Sequence, residues 1–185
     1  MQKGPYEEVC VKKNKEILEW VDAVVAALIF FVFLFTIFFR FAVVNGSSML
    51  PTLVNGDWVI IYNFLYEPSR GDIVVVNNLD SIDEPIIKRV IATEGDKITI
   101  DNKTGEVYVN GVIQDDDYCY SSNATYEGDY EFPNVIPKGC IFVMGDNREN
   151  SLDSRYEIIG MIKKEKVLGK AGAIIFPFRR IKLFY

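Results

Sequence analysis

The 185-residue chain contains no histidine. The imidazole-based serine and cysteine triads are therefore excluded, and any proton transfer must run through another group. Cysteine is scarce, at three residues with no Cys-x-x-Cys spacing, so a zinc site is not expected either. A basic nucleic-acid face is also missing. The net charge is −6, and the whole acidic surplus lies beyond residue 40. No internal repeat or low-complexity tract is present, and no long amphipathic helix pattern follows the first forty residues.

One long apolar run is present. From Ala23 to Phe39 it is broken only by Thr36. Extended from Trp20 to Arg40 it is about 20 residues, the length a helix needs to cross a ~30 Å hydrocarbon core. A buried core helix would carry a polar face, and this run carries none. A cleaved leader would be shorter and end in a small-x-small site, but the run leads into RFAVVNG. The reading is a retained anchor. Lys3, Lys12, Lys13 and Lys15 precede it, and after Arg40 nothing basic follows until Arg70. The positive-inside rule then places residues 1–19 as a cytoplasmic tail, 20–40 as the span and 41–185 outside. In an oxidising compartment Cys119 and Cys140 could form a bridge, and two buried thiols are an equal alternative.

Beyond the span the chain reads as β structure. DWVIIYN, DIVVVNN, IIKRVIAT, KITI, EVYV and CIFVMG are short runs rich in β-branched residues, separated by turn residues. Asn55-Gly56 and Asn110-Gly111 suit type I′ hairpins, and DNKTG suits a tight turn between KITI and EVYV. The expected fold is mainly β, an antiparallel barrel or sandwich behind one transmembrane helix. Residues 115–137 are acidic and tyrosine-rich and read as a long insertion loop. The C-terminal GAIIFPFRRIKLFY is expected to pack as a last strand with some membrane-surface contact.

Three stretches carry chemistry: GSSMLPTL at 46–53, PIIKRVIATEGD at 85–96 and MGDNRENSLDSRYEIIG at 144–160. A serine nucleophile needs a base beside it and donors for the oxyanion. Without histidine the common alternative base is lysine. At its ordinary pKa of ~10.4 a lysine is about one part in a thousand neutral near pH 7.4, a deficit of roughly 4 kcal/mol. Burial lowers that pKa. Lys88 in IIKRVI has Ile86 and Val90 on its own strand face, so its neighbours fit this requirement.

Ser-Met-x-Pro just beyond an anchor, then Lys-Arg-Val in a strand, then Gly-Asp-Asn-Arg-x-Asn-Ser-x-Asp-Ser-Arg, resemble bacterial type I signal peptidases. The single span resembles the short forms of Gram-positive bacteria, and the likeness covers most of residues 20–170. It implies Ser48 as nucleophile rather than its neighbour Ser47, and Lys88 as general base. Ser151 would orient the lysine amine, while Asp153 and Arg155 would form a structural ion pair that Arg89 could join. Some members carry a serine two residues before the nucleophile, as an oxyanion donor. Gly46 stands at that position here, so the hole would rest on backbone groups of Gly46 and Ser48. Val44, Met49, Leu53, Ile86 and Ile87 would form shallow pockets for small residues at −1 and −3 of the substrate. The implied partners are signal-peptide-bearing preproteins and membrane lipid, with no nucleic acid, metal or organic cofactor.

Penicillin-binding enzymes also pair Ser with Lys, and KTG and SSN occur in this chain. No Ser-x-x-Lys occurs, however, and the two echoes run in reverse order. A catalytically inactive, membrane-tethered β module acting as a binding protein is the remaining alternative, and the presence of Ser48, Lys88 and Ser151 disfavours it.

Overall fold

A computed structural model describes residues 5–77, 79, 82, 84–101, 103–114, 117–119 and 128–184. The chain divides into two compact units, Met1–Phe39 and Arg40–Tyr185. The first is a single helix, α1 (Pro5–Phe38). Its segment Lys15–Thr36 has a mean hydropathy of 2.4, and none of that segment is buried. A helix of 22 residues rises about 33 Å, enough to cross a bilayer. The helix extends well before Trp20, because the Glu- and Lys-rich residues ahead of the apolar run are themselves good helix formers. It ends at Phe38, so Arg40, read as the end of the span, lies in a strand instead.

The second unit is mainly antiparallel β. Its large sheet contains β1 (Phe39–Val43), β2 (Trp58–Tyr62), β3 (Ile73–Val76), β4 (Ile86–Thr93), β8 (Cys140–Met144), β9 (Ile162–Lys163), β10 (Val167–Phe176) and β11 (Lys182–Leu183). The order is β1-β2-β10-β3-β4-β8-β9, with β11 also on β10. A small sheet of β5 (Ile98–Ile100), β6 (Val107–Val109) and β7 (Val112–Ile113) completes the strands. Each of the six β-branched runs seen in the sequence forms one strand.

Asn110 and Gly111 both have positive φ, +56° and +79°, and close the β6–β7 hairpin as a type I′ turn requires. Asn55-Gly56 does not form such a hairpin. Only Gly56 has positive φ, and the turn runs from Val54 to Asp57 just ahead of β2. The side chain of Asn55 is engaged elsewhere, as described below.

β10 is the strand that sequence patterning undersold. It pairs with β2 on one side and β3 on the other, which makes it central rather than last. Its sequence VLGKAGAIIF has two glycines that blur the alternation. Gly169 is required because a Cβ there would meet the Tyr62 carbonyl of β2 at 2.5 Å. Phe176 at the end of β10, and Phe178, Ile181 and Leu183 beyond it, remain exposed.

Central strands are covered on both faces. All four residues of β3 are buried, with Val74 and Val76 in one apolar cluster and Ile73 in another. A third cluster, around Phe142 and Ile98, joins the small sheet to β4 and β8. Cys119 and Cys140 stand as thiols, with no disulfide between them. Within the loop 115–137, residues 115, 116 and 120–127 lie outside the described residues, and with them the SSN echo.

Candidate active site

The stretch SMLPTL turns sharply after β1, and its apolar residues explain why it holds still. Met49 and Leu53 are 2% and 0% exposed, sunk into the same cluster as Val59, Ile73 and Ile174. Leu53 N–H donates to the Met49 carbonyl at 2.8 Å, closing the turn. With Met49 and Leu53 pinned inward, Ser48 is left at the surface of the sheet, only partly buried.

Lys88 reaches that point from β4. It is 4% exposed, opposite Val74 of β3, and its Nζ lies 2.7 Å from Ser48 Oγ. Burial pushes its pKa down from 10.5 to about 8. Asp153 and Asp146 oppose the shift by favouring the ammonium, and Arg155 reinforces it. A hydroxyl and an amine at this separation can pass a proton either way, and a neutral amine would accept the hydroxyl's.

The segment 144–155 wraps this pair. Asp153 is fully buried and accepts from Gly145 N–H at 2.9 Å and Ser151 Oγ at 2.7 Å. It also holds Arg155 through Nε at 2.8 Å and a second guanidinium nitrogen at 2.9 Å. Arg155 in turn donates to the carbonyl of Arg148 at 2.8 Å. Gly145 admits no side chain, since a Cβ there would collide with Ser151 Oγ and the Ser48 carbonyl. Two asparagines of the loop clasp Ser47, the residue before Ser48. Asn150 donates to Ser47 Oγ at 2.8 Å and Asn147 to the Ser47 carbonyl at 3.1 Å, while Asn147 N–H donates to the Ser48 carbonyl at 3.0 Å. The hydroxyl of Ser47 therefore faces the loop rather than Lys88.

Several expected roles change. Ser151 donates its one proton to Asp153, and the hydrogen bond of Lys88 Nζ goes to Ser48 rather than to Ser151. Arg89 does not join the Asp153–Arg155 pair. It forms its own bidentate pair with Asp146, at 2.8 and 2.6 Å, and stacks on Tyr118. Successive strand residues point to opposite faces, so Lys88 and Arg89 cannot serve the same cluster. The Gly46 N–H donates to Asn55 Oδ1 at 2.9 Å, which removes it from any oxyanion hole in this geometry. The Ser48 N–H has no partner among the described residues. Val44, Met49, Ile86 and Ile87 line a groove of about 730 Å³ together with Ser48 and Lys88. Leu53 does not; it is wholly core, because the turn needs it as an anchor.

Asp146, Asn147 and Asn150 lay inside the GDNRENS stretch but were not singled out, and Asn55 was read only as a turn residue. Their polar side chains on a loop are the available signal; which group each reaches is not.

The profile of the family described as "Signal peptidase, peptidase S26" matches residues 17–176. The chain is a membrane-anchored peptidase, and it belongs to the signal peptidase family. It is 33% identical to the signal peptidase I of Bacillus licheniformis over 186 residues, 95% of this chain and 97% of that protein. To signal peptidase IB of Staphylococcus aureus (strain COL) it is 36% identical over 190 residues, covering 91% and 94%. A crystal structure of a signal peptidase I from Enterococcus faecalis V583 aligns with 58% of this chain and 98% of its own, with a TM-score of 0.48 and 28% identity.

Proposed function

We propose that this protein removes N-terminal signal peptides from exported preproteins, with Ser48 as nucleophile and Lys88 as general base. The observation that carries the reading is the 2.7 Å contact between Lys88 Nζ and Ser48 Oγ at the edge of an apolar groove. Neutral Lys88 takes the Ser48 proton as Oγ attacks the scissile carbonyl. The developing oxyanion is met by the Ser48 N–H, which no other acceptor occupies among the described residues. The lysine then returns the proton to the leaving amine, freeing the mature protein and leaving the signal peptide esterified to Ser48. Water, activated by the same lysine, hydrolyses that ester. Apart from the hydrolytic water, every step uses side chains and backbone of this chain, and the roles of Asp153 and Arg155 are to hold the loop that shapes the site.

In this reading residues 1–19 are cytoplasmic, the helix from Trp20 to Phe38 spans the membrane and the β unit that follows forms the extracytoplasmic protease domain. Anchoring confines enzyme and translocated precursor to one layer, which raises their effective concentration.

The test is cleavage of a membrane-inserted preprotein with an Ala-x-Ala site by detergent-solubilised wild type, Ser48→Ala, Ser47→Ala and Lys88→Ala. Wild type and Ser47→Ala should cut after the second alanine, and the other two should lose at least ~10³-fold in kcat. Full activity in Lys88→Ala would name a different base.

A further inference from the structure

The groove beside Ser48 is lined mainly by apolar side chains and backbone, with two charged exceptions among the described residues, Lys88 and Glu84. Lys88 has to be neutral to act as the base. Among the described lining residues, Glu84 is then the one charge a bound peptide meets. It is exposed, and its carboxylate makes no hydrogen bond or ion pair among the described residues. Other carboxylates of this unit are committed: Asp57 to Arg180, Asp72 to Lys170, Asp146 to Arg89 and Asp153 to Arg155. Glu84 holds nothing together, yet it stands on the wall of the substrate groove.

Its place along the groove follows from strand geometry. Glu84 precedes Lys88 by four residues and lies just ahead of β4, so at ~3.3 Å per residue at most about 13 Å of chain separates them. Between them lie Ile86 and Ile87, the side chains assigned to small residues at −1 and −3. A peptide lying extended beside β4 therefore brings a residue on the signal-peptide side, at −4 to −6, next to the carboxylate.

We propose that Glu84 is a specificity-determining residue that favours a cationic side chain, and disfavours an anionic one, at −4 to −6 of the substrate. The proposal rests on the signal-peptidase reading above and adds a charge preference to it. A partly solvated charge contact at this distance is worth about 2- to 5-fold for each change of substrate charge, so Lys over Glu should amount to about 5- to 20-fold in kcat/KM.

The experiment uses the full chain in detergent and preproteins identical except for Lys, Gln or Glu at −4, −5 or −6. Each enzyme is scored by its own Lys-to-Glu ratio of kcat/KM, so a general loss of activity cancels. Wild type should prefer Lys at one of these positions, Glu84→Gln should bring the ratio near one, and Glu84→Lys should invert it. A ratio near one in wild type, or the same ratio in all three enzymes, overturns the assignment while leaving the peptidase reading intact. A wild type that cuts none of the preproteins overturns the peptidase reading, and this proposal with it.

Discussion

Lys88 shows how one residue can be placed against its own preference. An ammonium at 4% exposure is unfavourable, and that penalty is what lowers its pKa to about 8. Activity that needs the neutral amine should rise about tenfold per pH unit below pH 8 and level off above it. A pH profile of kcat/KM checks this, and a limb still rising at pH 10 would deny the shift. The same shift sets stability. Between about pH 8 and 10.5 the unfolded chain holds a proton that the folded chain has released, so stability rises with pH across that window. Below it the folded state carries the full penalty. Lys88→Met should therefore be more stable than wild type at pH 7 by up to about 3 kcal/mol, with the gain vanishing above pH 10.5. Urea melts at pH 7 and pH 10.5 measure the difference directly. At this scale Lys88 stands out as a candidate base from its strand neighbours, whereas Ser48 is told from the chemically equal Ser47 only by resemblance to the family motif. The engagement of Gly46 by Asn55, and of Ser47 by Asn150, is not legible in the sequence, because a side chain's partner depends on where another loop arrives.

Among the elements, the loop 144–155 acts as a brace built around one buried anion. Asp153 accepts from the loop's own Gly145 N–H and Ser151 hydroxyl and from the Arg155 guanidinium. Replacing it with Asn keeps the shape but removes the buried carboxylate charge that Arg155 meets at 2.8 and 2.9 Å, so Asp153→Asn should lose about 3–5 kcal/mol of stability. A thermal melt of that variant beside Asp153→Asn/Arg155→Met tests the cause, since removing the guanidinium as well should restore part of the loss. Strands that alternate or run apolar, such as β3 and β4, could be read from their pattern. β10 could not, because Gly169 and Gly172 serve close packing against Tyr62 rather than periodicity. Leu53 teaches the converse. It sits in the motif beside the nucleophile, yet its work is to anchor the turn.

For the whole molecule, the division into a helical unit and a β unit separates address from chemistry. Removing residues 1–36 should leave a β unit that cuts a short soluble peptide at close to the full-length rate. Cleavage of a preprotein held in liposomes should fall by about 10²-fold or more, because the second encounter is no longer confined to one surface. Parallel assays on the two substrates give the comparison. Equal losses on both would mean that the helix supports the fold rather than the encounter.

Sequence alone settled the matters that depend on local chemistry and order along the chain. An apolar stretch of the right length with Thr36 as its one break, short β-branched runs, a missing histidine and three motifs in series are all one-dimensional facts. They suffice for an anchored, mainly β peptidase with a serine and a lysine as its candidate pair. Tertiary structure decided which groups remain available for that chemistry. Burial between β3 and β8 depresses Lys88, the brace points Ser151 at Asp153, Asn55 takes the Gly46 N–H, and the Ser48 N–H is left without a partner among the described residues. Each of these depends on two segments distant in sequence meeting at one point, and no periodicity or motif spacing encodes that meeting.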